Sequence, residues 1–169
     1  MRLFVAIQLS DTMKTALLDT QKAMREQGVR GNWSPRENLH LTLAFIGEYP
    51  AAEPVLDALR TLRFAPFSIA LRGVGCFGDL WWAGLEDSAA LEAAARRVRR
   101  ALAENGIPFD RKHFSPHITL VRRATKAAAI RVPTRGMTVR AISLMRSDRG
   151  KNGMIYTELG RVEAIGDEK

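Results

Sequence analysis

The chain has 169 residues, of which 46% are hydrophobic and 26% charged, a composition typical of a globular protein. It contains no apolar run near the roughly 20 residues that a membrane-spanning helix requires, so we expect no membrane partner. The opening segment "MRLFVAIQLSD" turns polar too soon for a secretory signal peptide, and the chain has a single cysteine. Both features favour a cytoplasmic location. The length fits one domain over residues 1–169, and we expect a monomer.

The formal net charge is +8, and it is concentrated in one part of the chain. Between Arg96 and Lys151 there are fifteen Lys and Arg against three acidic residues, whereas the rest of the chain has eleven against fifteen. Such asymmetric positive charge predicts a polyanionic partner, nucleic acid first. Four arginines fall on one predicted helix, where a solvated face is the simpler interpretation: Arg96, Arg97, Arg99 and Arg100.

The first half of the chain alternates strands with helices. A strand is predicted over residues 3–9, followed by a helix that Ser10 or Asp11 caps and Gly28 ends. The segment "GNWSPREN" is predicted as a loop, and a strand with the first histidine follows it. A second helix starts at Pro54. Its apolar residues recur at helical spacing: Val55, Leu56, Leu59 and Leu62.

The middle of the chain continues this alternation. Strands are predicted near residues 67–74 and 80–84, separated by the turn-like segment "GCFGD". Asp87 or Ser88 caps a third helix, which ends at Gly106. One face of this helix is apolar: Leu91, Ala95, Val98 and Leu102.

The last part of the chain begins with the strand of the second sequence motif, "FSPHITLVRR". A basic, proline-containing connection over residues 123–136 follows it. Two final strands are predicted near residues 137–145 and 153–160, joined through the turn-like segment "SDRGKNG".

Two of the three histidines open the same four-residue pattern. His40 begins "HLTL" and His117 begins "HITL", 77 residues later. His40 lies twelve residues after Gly28 and His117 eleven after Gly106, so each half runs in the order strand, helix, glycine, loop, H-x-T-L strand. This repetition predicts an α+β fold with two similar lobes from an internal duplication. Antiparallel or mixed sheets would line a central cleft, with the helices outside.

The H-x-T-L pattern places chemistry on one face of a strand. Residues i and i+2 of a strand share a face, so His40 lies beside Thr42 and His117 beside Thr119, while the intervening leucine or isoleucine faces a core. Two such strands at one cleft would present two imidazoles as general acid and general base. The two hydroxyls would donate to phosphate oxygens. A phosphodiester is the substrate class that this set fits, and it requires no metal or other cofactor.

Other interpretations of the histidines stay open at this stage. A single histidine near a core is most often a hydrogen-bonded structural residue, and only the matched pair favours catalysis. His113 lacks a threonine at the +2 position and is expected in a loop. A metal site made of His40, His113 and His117 is an alternative, although the sequence offers no partner residues that would orient such ligands.

On these motifs the chain resembles the 2H phosphoesterase superfamily, which is named for paired H-x-T/S motifs. Within it, the chain is similar to the LigT-like RNA 2′,3′-cyclic phosphodiesterases, also called ThpR 2′-5′ RNA ligases. The similarity runs nearly end to end: "RLFVAI", "NLHLTLAFIGE", "LRGVGCFG", "LWWAGL", "RKHFSPHITLVRR" and "ISLMRS" followed by Tyr156. It implies two α+β lobes around a cleft and hydrolysis of RNA 2′,3′-cyclic phosphate ends to a 2′-phosphate, with reversible 2′-5′ ligation in some relatives.

The resemblance also implies roles for individual residues. His40 corresponds to the proton donor and His117 to the proton acceptor, while Thr42 and Thr119 correspond to phosphate-binding hydroxyls. Arg122 corresponds to the arginine that closes the family's second motif and contacts phosphate. Strict strand alternation instead places Arg122 on the core side and Arg123 on the histidine side. A bulge or strand end at Val121 would reconcile the two, and we favour Arg122.

Five aromatic residues are candidates for stacking on a base: Trp33, Phe45, Phe77, Trp81 and Trp82. Most aromatic residues in such strands belong to a core, so none is assigned this role from the sequence. The alternatives to an RNA 2′,3′-cyclic phosphodiesterase are a related enzyme acting on another small cyclic or 2′-5′ nucleotide, and a non-catalytic RNA-binding module.

Overall fold

Alternating strands and amphipathic helices build two sheets in the computed structural model, which describes residues 1–166. The helices are α1 (Asp11–Glu26), α2 (Glu53–Leu59) and α3 (Ala89–Glu104), with a short 3-10 helix at Arg36–Asn38. The strands are β1 (Arg2–Gln8), β2 (Asn32–Trp33), β3 (His40–Glu48), β4 (Phe67–Phe77), β5 (Leu80–Leu85), β6 (Ile118–Arg122), β7 (Gly136–Val139), β8 (Ala141–Gly150) and β9 (Gly153–Glu163). None of the helices in this range combines the length and apolar character needed to cross a membrane.

The order of strands confirms the α+β class and the two similar lobes. One sheet has the order β3-β1-β8-β9 and the other β2-β6-β5-β4-β7, and every pairing is antiparallel rather than mixed. In each sheet, the strand of the H-x-T-L motif lies next to the strand that precedes a long helix: β3 lies beside β1, which precedes α1, and β6 lies beside β5, which precedes α3. The units β1-α1-β3 and β5-α3-β6 are therefore equivalent, as expected for a duplication.

The two equivalent helices begin and end in the same way. Each has 16 residues and is capped by a serine, Ser10 or Ser88, whose hydroxyl accepts a hydrogen bond from the third helical N–H. Gly28 and Gly106 follow the helix ends with φ angles of 91° and 69°, in the left-handed region that favours glycine. Local sequence signals thus set both helices to the same length.

Several predicted boundaries were wrong. The second helix ends at Leu59, where Thr61 donates to the carbonyl of Ala58, and Leu62 lies outside it. The "GNWSPREN" loop contains β2 and the 3-10 helix, and β4 continues through "GCF" before it turns. β8 continues to Gly150, so only two residues remain in the turn before β9.

The predicted strand over residues 137–145 is two strands in different sheets. β7 pairs with the start of β4, whereas β8 pairs with β1 and β9. The chain therefore passes from one sheet to the other between Val139 and Ala141. Hydrophobic alternation could not reveal this exchange, because both segments are apolar on one face and pack against the same core.

The main hydrophobic core contains residues of both sheets and all three helices. A second, smaller cluster lies on the opposite face of the first sheet and consists of Phe4, Ala6 and Met145, with Tyr156 packed against it. Strand β1 is consequently buried on both faces, from Leu3 to Ile7. The imidazole of His40 packs against this smaller cluster, through the rings of Phe4 and Tyr156.

Each histidine strand contains a β-bulge directly after its threonine. Leu43, which follows Thr42, has no partner on β1, and Leu120, which follows Thr119, has no partner on β5. A bulge adds one residue and shifts the alternation of side chains by one position. In both strands the leucine and the next residue are therefore buried.

The carbonyl of each bulged leucine accepts a hydrogen bond from a helix of the other lobe. Gln21 on α1 is 1% exposed, and its Nε2 donates to the carbonyls of Leu120, at 2.9 Å, and Ser34, at 2.8 Å. Arg99 on α3 donates from Nε to the carbonyl of Leu43 at 3.2 Å. Both donors lie eleven residues after the capping serine of their helix. The two lobes thus support each other's histidine strands.

Arg99 also corrects an expectation about the basic helix. Arg96, Arg97 and Arg100 are exposed, as a solvated face requires, but Arg99 is half-buried. Its Nη1 donates to the carbonyl of Lys112 at 2.7 Å, besides the bond to β3. A guanidinium suits this position because it offers several donors in fixed directions at the end of a long side chain.

We expect Gln21→Met to lower the free energy of unfolding by roughly 1–3 kcal/mol, because it nearly conserves volume but removes two hydrogen bonds, to the carbonyls of Ser34 and Leu120. The Leu120 carbonyl keeps its bond from the N–H of Ser34. Urea denaturation followed by circular dichroism measures the change. Lys22→Met, at the exposed neighbouring position, is the control and should stay within about 0.5 kcal/mol of the unsubstituted protein. Equal unfolding midpoints for the two variants would show that the buried amide contributes nothing.

Candidate active site

The structure brings the five predicted site residues to one cavity. His40 begins β3 and His117 immediately precedes β6, and both line a cavity of about 930 Å³ together with Thr42, Thr119 and Arg122. We call this cavity the Phe45 compartment, after an exposed aromatic residue in its wall. The two strands thus contribute equivalent side chains to one surface.

Both imidazoles are held in the same tautomer. Nδ1 of His40 lies 2.7 Å from the carbonyl oxygen of Asn38, and Nδ1 of His117 lies 2.7 Å from that of Ser115. A carbonyl can only accept, so each Nδ1 carries a proton and donates it. The Nε2 atom of each ring therefore remains for proton exchange.

The two histidines differ in their surroundings. Nε2 of His40 is 2.8 Å from the hydroxyl of Thr42, which donates to it when the ring is neutral. Burial is the main cause that lowers the pKa of His40. The bond to the carbonyl of Asn38 raises this pKa in part, and nearby positive charge, first that of Arg122, lowers it again.

The second motif is more open. Within residues 1–166 the hydroxyl of Thr119 has no hydrogen-bond partner, although it lines the same cavity as the histidines. The side chain is only half-buried, so water can reach it. The duplicated motifs therefore provide one closed and one open His–Thr pair.

Aromatic rings hold each imidazole on two sides. His40 lies 5.0 Å from Phe4 and 5.2 Å from Tyr156, measured between ring centroids. His117 lies 5.2 Å from Phe77 and 6.2 Å from Trp82. These contacts limit rotation of the rings. The sequence did not single out Phe4, because its contact with His40 joins two different strands.

The other aromatic candidates have separate positions. Phe45 is exposed in the wall of the Phe45 compartment, and Trp33 lines a neighbouring cavity. Trp81 packs against the main core and lines neither cavity. Phe45 and Trp33 are therefore the members of this set best placed to meet a ligand away from the imidazoles.

The bulge in β6 explains why Arg122 faces the site. The extra residue is Leu120, one position before the expected bulge. It shifts the alternation of side chains by one residue, so that Arg122 lies on the same face as His117 and Thr119 and lines the cavity. Phe45 occupies the equivalent position in β3, five residues after its histidine. Arg123 lines neither cavity and adopts a left-handed φ of 56° where the chain leaves the sheet.

His113 is exposed in the loop before β6, as expected. Within residues 1–166, no three His, Cys, Asp or Glu side chains form a group that could hold a metal ion. The alternative site made of His40, His113 and His117 is therefore not formed.

A second cavity adjoins the first and shares His40 with it. It has a volume of about 670 Å³, and we call it the Trp33 compartment. Five residues line both compartments: His40, Thr119, Arg122, Met154 and Tyr156. A ligand centred on Arg122 can therefore extend in two directions.

We expect the imidazole of His40 to titrate below the ordinary histidine pKa of about 6.5, because burial and two neighbouring cations disfavour its charged form. Inorganic phosphate bound beside Arg122 should raise this pKa, since a nearby anion favours the imidazolium. NMR titration of the imidazole C–H signals, assigned with a His40→Ala variant, measures both values. An unshifted pKa, or one that phosphate lowers, would contradict this account of the site.

Comparison with known proteins agrees with this geometry. Residues 16–151 match the family model described as the 2′-5′ RNA ligase superfamily. An RNA 2′,3′-cyclic phosphodiesterase of Thermus thermophilus is 38% identical over 99% of this chain and 92% of that protein. Another, of Geobacillus stearothermophilus, is 33% identical over 71% of this chain, and this chain covers 41% of that relative's length.

Solved structures show the same fold. The crystal structure of Escherichia coli LigT in apo form superposes with a TM-score of 0.83 at 27% sequence identity, covering 98% of each chain. LigT has also been crystallised in complex with 3′-AMP. Because the family model spans most of the sequence and the Thermus relative matches nearly all of it, the chain belongs to the 2′-5′ RNA ligase superfamily.

Proposed function

We propose that the protein hydrolyses 2′,3′-cyclic phosphate ends of RNA to 2′-phosphates, with His40 and His117 as the catalytic pair and without a metal cofactor. The observation that carries this proposal is that two imidazoles in the same tautomer line one cavity with Arg122. The names of the curated relatives support the substrate class. The 3′-AMP complex of LigT supports a nucleotide ligand.

The two proton transfers follow from the tautomers. Neutral His117 has a free lone pair on Nε2, which accepts a proton from water as the water oxygen attacks phosphorus. The bond from phosphorus to the 3′ oxygen breaks, and protonated His40 donates its Nε2 proton to that oxygen. The phosphate stays on the 2′ oxygen. One proton enters and one leaves, and the two histidines exchange protonation states.

The remaining residues stabilise the charge of the phosphate. The guanidinium of Arg122 and the free hydroxyl of Thr119 contact non-bridging oxygens, whose negative charge must be held during displacement. Thr42 joins them only when His40 is protonated. Nε2 then becomes a donor, so the hydroxyl of Thr42 no longer donates to it and can turn its proton to the phosphate.

Phosphate binding and protonation of His40 are therefore coupled. In the free protein, burial keeps His40 neutral near physiological pH. The arriving anion offsets the charge of Arg122 and raises the pKa of His40, which prepares the proton donor. The base of the terminal nucleotide extends into the Phe45 compartment, where the exposed ring of Phe45 offers a stacking surface.

The same arrangement accepts a second nucleophile. A ribose 5′-hydroxyl in the position of water would lose its proton to His117 and attack phosphorus with the same departure of the 3′ oxygen. The product would be a 2′-5′ linkage, and the reverse reaction would cleave it. Reversible ligation thus needs no residues beyond those of hydrolysis.

We expect His40→Ala and His117→Ala each to lower kcat on 2′,3′-cyclic AMP by about 10²–10⁴-fold, the usual contribution of one proton transfer. A phosphatase-coupled assay for released phosphate measures the rate, and activity should persist in EDTA. His113→Ala is the matched control because this third histidine is exposed in a loop, and it should stay within about twofold of the unsubstituted protein.

A modified substrate separates the roles of the two histidines. When sulfur replaces the 3′ bridging oxygen, the leaving thiolate needs little help from an acid, because a thiol ionises far more readily than an alcohol. This substrate should restore much of the rate of His40→Ala and little of that of His117→Ala. The opposite pattern would exchange the donor and acceptor, while RNA binding without turnover would indicate a binding module.

We expect bell-shaped pH profiles, because one histidine must be protonated and the other neutral. The midpoint of the bell should lie at higher pH for kcat than for kcat/KM. The former reports the complex, in which the substrate anion has raised the pKa of His40, and the latter reports the free protein, in which that pKa is lowered. Steady-state kinetics from pH 5 to 9 tests this, and coincident midpoints or a flat profile would contradict it.

A further inference from the structure

The two compartments beside the histidines differ in charge. The wall of the Phe45 compartment includes three carboxylates, Glu48, Asp110 and Asp148, which balance the arginines that it also contains. Within residues 1–166, no acidic residue lines the Trp33 compartment, where Arg122 is the charged side chain. A phosphate chain that leaves the histidine site therefore meets carboxylates on the Phe45 side and, within residues 1–166, none on the Trp33 side.

A shallow basic groove continues from the Trp33 compartment. Gly31 and Trp33 line both, and the groove adds Arg25 and Arg30. In the described part of the chain, no acidic residue lines this groove. The ammonium of Lys126 reaches the same edge, close to Gly28. We call this surface the Arg30 groove. Within residues 1–166, the side chains of Arg30 and Lys126 form no ion pair, so their charges remain available to a ligand.

The backbone of the groove is held rigidly. Arg30 donates its N–H to the hydroxyl of Thr125 at 2.9 Å and accepts at its carbonyl from the N–H of Thr125 at 2.8 Å. Gln27 makes a second reciprocal pair of bonds with the backbone of Ala129. The basic connection after β6 is thereby fixed to the end of α1, which keeps the backbones of Arg30 and Lys126 close together.

Trp33 provides a flat apolar element within this charged path. The guanidinium of Arg25 lies 4.4 Å from the centroid of the Trp33 ring. Alternation of cations with an aromatic ring is the usual construction of a surface for single-stranded nucleic acid, since phosphates meet the cations and bases meet the ring.

We propose that the RNA strand on the 5′ side of the cyclic phosphate leaves the histidine site through the Trp33 compartment and lies along the Arg30 groove. This inference rests on the proposed function and adds a path for single-stranded RNA upstream of the terminal nucleotide. The terminal base then lies in the Phe45 compartment, and the phosphates of the preceding nucleotides contact Arg30 and Lys126. Substrate length therefore affects binding, whereas a mononucleotide does not reach the groove.

Kinetics on substrates of increasing length test the path. The substrates are 2′,3′-cyclic AMP and oligoadenylates of two to six nucleotides that end in the same cyclic phosphate. In the double variant Arg30→Glu/Lys126→Glu, kcat/KM for the hexanucleotide should fall about tenfold, the order expected for two exposed charge contacts. The value for the mononucleotide should not change. Arg97→Glu/Arg100→Glu, on the exposed face of α3, is the control of equal charge and should alter neither substrate.

Salt dependence gives a second measurement. For Arg30→Gln/Lys126→Gln, the slope of log(kcat/KM) for the hexanucleotide against log[salt] should be less steep by about 0.7 per lost phosphate contact. Equal losses on both substrates would show that the variants damage the histidine site, and no loss on either would show that RNA lies elsewhere. Both results would overturn the proposal, as would a selective loss in the α3 control.

A binding experiment distinguishes failure of the RNA path from failure of the proposed function. If the protein hydrolyses none of these substrates, fluorescence anisotropy with a labelled hexanucleotide carrying a 3′-phosphate still tests the groove. Weaker binding in Arg30→Glu/Lys126→Glu than in the α3 control would support the path. Equal binding would overturn it.

Discussion

The geometry of the site depends on the carbonyl of a bulged leucine in each histidine strand. A bulge removes this carbonyl from the regular ladder and, in a buried position, the group must find another donor. The amide of Gln21 and the N–H of Ser34 both donate to the carbonyl of Leu120, and Arg99 donates to that of Leu43. With the bulges held, the residues that follow them, Phe45 and Arg122, turn toward the cleft.

Duplication gives the protein two similar imidazoles, and their surroundings make them different. Both rings donate from Nδ1 to a carbonyl two residues earlier in the chain. His40 is covered by Phe4 and Tyr156 and bonds to Thr42, so burial lowers its pKa. His117 faces a more open part of the cavity. The proposed reaction needs one acid and one base, so it would use this asymmetry, which two identical sites would not provide.

The sequence predicted those parts of the fold that depend on local signals. Serine caps, terminal glycines and the H-x-T-L spacing are short-range features, and they led correctly to two equivalent units and to one shared cavity. The division of residues 137–145 between two sheets, the position of the bulge and the role of Arg99 depend on contacts between distant segments. Arg99 looked like its exposed neighbours because its partner, the carbonyl of Leu43, lies 56 residues away.

In each lobe the helix donates a hydrogen bond to the bulged leucine of the other lobe, and this exchange bears on how such a chain can have arisen. A chain with only one of the two units would have a helix donor without its acceptor and a bulge without its donor. Two copies could satisfy both by exchanging these contacts across a twofold axis, so a half-length ancestor would fold most favourably as a homodimer. Gene fusion would then have joined the subunits, after which the amide and the guanidinium could diverge independently.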